Sequence, residues 1–184
     1  EMQYPYLRKC LDDAGVAPES VGVLPIMVGS LDEADERAFG ELLAPYLGKE
    51  DTFTVVSSDF CHWGSRFRYR PFRPEIVPAS HRPARRVEIQ IFEYIAWLDK
   101  TGMDHISMQD PGAFSIYLRE HSNTICGRHP IGVWLNAIVK NRRDGTEKLD
   151  VNFVRYAQSS HVAIQSDSSV SYASAVATRC DDGA

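Results

Sequence analysis

Residues 52–64 read TFTVVSSDFCHWG, and the fold turns on how this stretch is placed. Its first half, Thr52 to Ser57, is a short apolar run rich in β-branched residues, the pattern of a strand buried on both faces. Upstream, Asp32 to Leu47 carries acids in its first turn and apolar side chains at Phe39, Leu42, Leu43 and Tyr46, which predicts a capped surface helix. Before that, residues 21–29, VGVLPIMVG, form another nearly continuous apolar run, so a second covered strand is expected, with Pro25 marking a bulge or an edge. Met2, Tyr6, Leu7, Cys10 and Leu11 share one helical face, and Gly15 supplies a stop. Helix, strand, helix, strand is the order of a βαβ crossover in an α/β fold, which places functional loops beyond the carboxyl ends of its strands. Asp59 and His62 fall there.

Downstream, residues 66–86, RFRYRPFRPEIVPASHRPARR, have no period and seven arginines, so a loop is expected, with residues 71–86 as an Arg- and Pro-rich insertion. Val87 to Leu98 resumes a helical pattern ending near Gly102. Asp110 to Glu120 predicts a helix with Asp110 as cap and Pro111 at its first position. A further helix is expected over Pro130 to Val139, and strand-like alternation marks Leu149 to Ala157 and Ser169 to Ala177.

With 184 residues and 43% hydrophobic content, the chain can bury one proper core, so 1–184 is expected to be a single domain. A net charge of −5 lacks the basic balance of a general nucleic-acid binder. No apolar run approaches the roughly 20 residues that span a bilayer, so no membrane span is expected. Four scattered cysteines without a Cys-x-x-Cys pair point to a reducing compartment, the cytoplasm, with the nucleus as a second location. The opening at Glu1, inside helical sequence and without a Met, raises the expectation that a preceding part is missing. There is no P-loop, G-x-G-x-x-G or G-x-S-x-G, which sets aside the usual nucleotide and esterase chemistries.

Two polar stretches remain as candidates for chemistry. In residues 57–64, SSDFCHWG, Asp59 and His62 are three apart, close enough on a turn to enter one cavity as metal ligands or as an acid/base pair. The alternative is that Asp59 caps the turn and His62 hydrogen-bonds to backbone. Cys61, of opposite parity, is expected in the core. In residues 124–130, TICGRHP, Cys126 precedes a helix with Arg128 and His129 nearby, surroundings that favour a thiolate, both nucleophile and soft metal ligand. The alternative is a buried inert thiol, with Arg128 as a clamp on a carboxylate. Arg66 and Arg68 could receive a phosphate or phosphotyrosine, or simply be solvated. Asp167 could line a cleft or form an Asx turn.

These stretches, VVSSDFCHWGSRFRY, NTICGRHPIGV, and YAQSS followed by DSSVSYA, closely resemble the Memo family, mediators of ErbB-driven cell motility; EMQYPYL and VGVLPIMVGSLDE also look like it. The resemblance implies a fold like the class III non-haem iron extradiol dioxygenases: α/β, a mixed sheet flanked by helices on both faces, here lacking its N-terminal half. It implies an iron or copper ion held by two histidines of that half together with Cys126, with Asp59 and His62 lining the cleft and His62 and Cys126 as reactive groups. The metal site is then incomplete in this chain. The leading expectation is a metal-binding protein of redox-linked signalling and cell motility rather than an enzyme of metabolism. The alternatives are a phosphotyrosine-peptide adaptor using Arg66, Arg68 and Arg128, partnering a receptor-signalling protein, and an extradiol-type dioxygenase in which His62 is the base.

Overall fold

A computed structural model describes residues 3–82, 88–146 and 148–180. The chain divides into two compact units, residues 1–30 and 31–184.

The first unit contains α1 (Tyr4–Asp13), a 3-10 turn at Pro18–Ser20, and an extended stretch. Pro5 starts α1 where an N–H would have no intrahelical partner, and Arg8 pairs with Asp12 and Lys9 with Asp13 one turn apart. The helix forms where expected, but its predicted face is covered only in part: Leu7 and Leu11 are half-buried, whereas Tyr6 and Cys10 are exposed, and Met2 lies outside the described residues.

The second unit carries α2 (Glu33–Leu47), β1 (His62–Trp63), α3 (Ile91–Ser107), α4 (Pro111–His121), α5 (Arg128–Arg143), β2 (Leu149–Gln158) and β3 (Ser169–Arg179). Acid-rich α2 begins on Asp32, whose carboxylate accepts the Asp35 N–H, and α4 begins on Asp110, whose carboxylate accepts the Ala113 N–H. Lys140, Arg142 and Arg143 sit in the last turn of α5, where the helix dipole favours cations. α3 begins at Ile91, Val87 being outside the described residues, and runs past Gly102 to Ser107. The glycine is no stop because its missing side chain is filled by the ring of Tyr117 from α4; a Cβ there would sit 2.9 Å from that ring. Ile95, Leu98, Ile106, Phe114, Ile131, Leu135 and Ile138 join Trp63, Tyr94 and Val162 in one core, between α3, α4, α5 and the sheet.

The sheet corrects the expected topology. Its strand order is β1-β3-β2, and both pairings are antiparallel: β2 and β3 form a hairpin with a register shift between Phe153 and Arg155, and β1 adds His62 opposite Val170. Neither a mixed sheet nor a βαβ crossover occurs among the described residues. Residues 21–29 and 52–57 run without strand pairing; Leu24 and Met27 are 82% and 98% exposed, and Phe53 is 84% exposed. Their apolar, β-branched pattern states what such a segment can bury, whereas a strand also needs a ladder of hydrogen bonds to a neighbour, and neither stretch is paired as a strand among the described residues. In the arginine-rich segment, the described part has single 3-10 turns at Pro74–Ile76 and Ala79–His81; residues 83–86 of the expected insertion lie outside the described residues.

Candidate functional site

The two polar stretches meet. Residues 58–62 approach from the extended segment leading into β1, and residues 123–127 come from the link between α4 and α5. Ser122 ends α4 in the left-handed region, turning the chain inward so that Asn123 is buried. The loops are stitched by side chains. Thr124 Oγ1 accepts the His62 N–H at 2.7 Å and donates to the His62 carbonyl at 3.1 Å. Ser58 Oγ accepts the Gly127 N–H at 3.0 Å and donates to the Asp59 carbonyl at 2.7 Å. The Asp59 N–H donates to Cys126 Sγ at 3.3 Å, and Ser58 Oγ lies 3.9 Å from that sulfur.

Asp59, His62 and Cys126 therefore share one pocket, although 67 residues separate the first from the last. Asp59 Oδ1 and His62 Nε2 are 2.9 Å apart, both sealed from solvent, yet neither is aligned with a partner for a hydrogen bond. Asp59 is thus no helix cap, and His62 offers its ring nitrogen to the carboxylate, not to backbone. Cys61 behaves as expected, fully buried, its thiol pushed above the usual range mainly by burial.

The electrostatics correct one expectation. Cys126, at the surface rather than in the core, is not primed as a thiolate: burial of its sulfur and the neighbouring Asp59 carboxylate raise its pKa, outweighing the N–H of Asp59 and the Ser58 hydroxyl. Burial opposes ionisation of Asp59, but the close approach of Cys126 and His62 holds its carboxyl below the ordinary value. Both shifts favour charge on the carboxylate over charge on the sulfur.

The arginines stand apart from this contact. Arg66 is exposed and lies over the ring of Phe67, 4.5 Å from its centroid, and Phe67 in turn packs edge-on against His62 at 5.1 Å. Arg68 is exposed in the left-handed region. Arg128, exposed at the first residue of α5, contributes attraction to Glu36. Asp167 turns its carboxylate onto the N–H groups of Ala163 and Ile164, closing the hairpin loop.

Two features escaped the sequence reading. Glu36 of α2 and His129 of α5 form a 2.7 Å hydrogen bond, both side chains largely covered, and burial raises the Glu36 pKa against the opposing pull of His129. The close approach of α5 at Gly132, where a Cβ would overlap the Glu36 carboxylate, is the local cause. An i, i+93 pairing carries no sequence signal. The second is Asp99 on α3, with no solvent exposure. Its helical parity with Ile95 and Met103 places it on the buried face, a signal available in the sequence but read there as helix alone.

The sequence resemblance implies an iron or copper ion at this pocket. Thiol, imidazole and carboxylate are donors such ions accept, and the two unsatisfied atoms, Asp59 Oδ1 and His62 Nε2, are unspent ligand positions. Among the described residues, however, no three such groups converge as a metal site. The donor chemistry fits; the set is partial.

No helix among the described residues is long and apolar enough to cross a membrane. Residues 1–176 match the family model for Memo-like proteins. The chain is 42% identical over 178 residues to the human protein MEMO1, covering 97% of this chain and 54% of that protein. It is 40% identical over 173 residues to the zebrafish MEMO1 (94% and 53%), and 37% identical over 176 residues to the memo-1 homolog of Caenorhabditis elegans (96% and 46%). The chain spans about half the length of the curated relatives it matches. Family model and sequence identity together establish that this chain belongs to the Memo family.

Proposed function

We propose that this chain contributes Cys126, His62 and Asp59 to a centre for an iron or copper ion, in a cytoplasmic protein of redox-linked signalling and cell motility. We also propose that the whole protein has a fold of the class III extradiol dioxygenase type. The observation that carries the metal reading is the meeting of Asp59 and His62 at 2.9 Å, with both facing atoms unsatisfied, beside the Cys126 sulfur. A bound ion of this kind supplies one-electron chemistry. The chain's own part is to deliver the ligands: Cys126, His62 and Asp59 would hold the ion, and the Cys126 thiol would release its proton to solvent on binding. Because the described donors form a partial set, affinity in this chain alone is expected to be weak. Anaerobic titration with Cu(I) and Fe(II) tests the reading. Cys126→Ser and His62→Ala are each expected to weaken binding at least tenfold, since disturbing even the outer groups that orient a ligand costs about 10–100-fold; unchanged affinity in both variants refutes it.

A second reading, a phosphotyrosine-peptide adaptor, is favoured by one observation: the exposed Arg66 guanidinium is stacked on Phe67, whose ring packs edge-on against His62. Peptide binding measured by fluorescence anisotropy decides it, and affinity unaffected by Arg66→Ala, Arg68→Ala and Arg128→Ala together counts against it. The third, an extradiol-type oxygenase with His62 as base, predicts oxygen uptake with a catechol panel dependent on Fe(II); no turnover is the expected result.

A further inference from the structure

Burying a carboxylate is costly unless donors surround it. Asp99 has no solvent exposure, and its two oxygens collect donors from four separate places in the chain. Oδ1 accepts the Cys61 N–H at 3.1 Å and the side-chain amide of Asn123 at 3.0 Å. Oδ2 accepts the Tyr156 hydroxyl at 2.8 Å, and the Ser171 hydroxyl also bonds to this carboxylate. Tyr156 is fixed in turn by the amide of Gln158 at 3.0 Å, and the Asn123 amide also reaches the Tyr117 hydroxyl at 2.7 Å.

The two partners on Oδ1 are the informative ones. Cys61 immediately precedes His62, and Asn123 immediately precedes Thr124, the residue that brackets the His62 backbone and lies two before Cys126. One oxygen atom thus holds both loops at their inner ends, while Ser58 and the Asp59 N–H join them at their outer ends. Tyr156 and Ser171 bring in β2 and β3 from the other side. An aliphatic residue would pack α3 equally well against the sheet, but it could not accept from two loops at once. The geometry points to a specific task.

We propose that Asp99 is a positioning residue: by holding the Cys61 N–H and the Asn123 amide on one buried oxygen, it sets the distance between the Cys126 thiol and the Asp59–His62 pair. The inference deepens the metal reading by naming what holds its ligands in place, and it rests on that reading only for its functional meaning. Its test is independent of metal.

The measurement is the rate at which Cys126 is alkylated by iodoacetamide at a fixed pH, resolved by peptide mass spectrometry so that Cys10, Cys61 and Cys180 do not contribute, together with urea unfolding. Asp99→Ala and Asn123→Ala release one or both loops, and alkylation of Cys126 is expected to rise about tenfold, the order set by losing a hydrogen bond between the loops. Asp99→Asn keeps an acceptor oxygen facing the loops and is expected to restore the wild-type rate. Tyr156→Phe removes a bond to the same carboxylate without touching either loop and is expected to leave the rate unchanged, even where it lowers stability. If Asp99→Ala does not fold, Asn123→Ala decides. A wild-type rate in Asn123→Ala, or an equal rise in Tyr156→Phe, overturns the proposal. Absence of Cu(I) and Fe(II) binding in the unaltered protein would refute the metal reading and leave this result standing.

Discussion

Gly127 is where the site's construction is easiest to break without touching any reactive group. Its φ of −88° suits any residue, so Gly127→Ala introduces no backbone strain, only a methyl group. That methyl would overlap Ser58 Cβ and lie 2.6 Å from the Ser57 carbonyl oxygen and from Ser58 Oγ. A carbonyl in an anchored loop cannot swing aside as a side-chain tip can, so the loop and the start of α5 must separate. Overpacking of this kind costs about 1–3 kcal/mol, and alanine at an N-cap is a poorer start than glycine. The reduced freedom of the unfolded chain returns about 0.4–1 kcal/mol. The expected net loss is about 2 kcal/mol, read as a lowered urea midpoint with unchanged slope. Separation also stretches the bonds from Gly127 to Ser58 and from Asp59 to Cys126, so alkylation of Cys126 should accelerate in the same variant. Stability within 0.5 kcal/mol of wild type, together with an unchanged alkylation rate, would refute the claim that these loops are locked at contact distance.

Other outcomes follow from the same geometry. Thr124→Val keeps the shape but removes both hydroxyl bonds to His62, leaving a half-buried N–H and C=O unmet; a loss of about 2 kcal/mol is expected, with Thr124→Ser close to wild type, by urea unfolding. Asp59→Asn removes the charge that raises the Cys126 pKa, so the alkylation pH profile should move to lower pH; a shift to higher pH would contradict the assignment. His121, whose pKa is lowered by burial and by Arg73, takes its proton more readily unfolded than folded. Stability should therefore fall as pH drops below the ordinary histidine value of about 6.5, and His121→Gln should flatten that part of the profile measured by thermal unfolding.

Helices were legible in the sequence because capping and periodicity are local: Asp32 and Asp110 announced α2 and α4, and both accept the third N–H beyond them. The two strands of the hairpin were legible from alternation in residues 149–157 and 169–177, though not their antiparallel pairing. Residues 21–29 and 52–57 misled because an apolar run encodes a capacity for burial, and pairing depends on a neighbour the run does not specify. Within the site, the meeting of Asp59, His62 and Cys126 was anticipated through the family motifs, but the protonation of Cys126 was not. The helix amides were expected to stabilise a thiolate, whereas the nearer influence is the Asp59 carboxylate. The burial of Asp99 was readable from helical spacing, but its partners and the Glu36–His129 pair depend on contacts across tens of residues, which no spacing rule reaches.

The extended run through Phe53 and Val55 turns large apolar side chains to water and is paired with no strand among the described residues. Such a strip is a template on which another polypeptide can lay itself, and two molecules in crowded solution are the nearest candidates. Sedimentation profiles of this chain should accordingly depend on how much of it is loaded, and dilution or mild chaotrope should recover the slower-moving species.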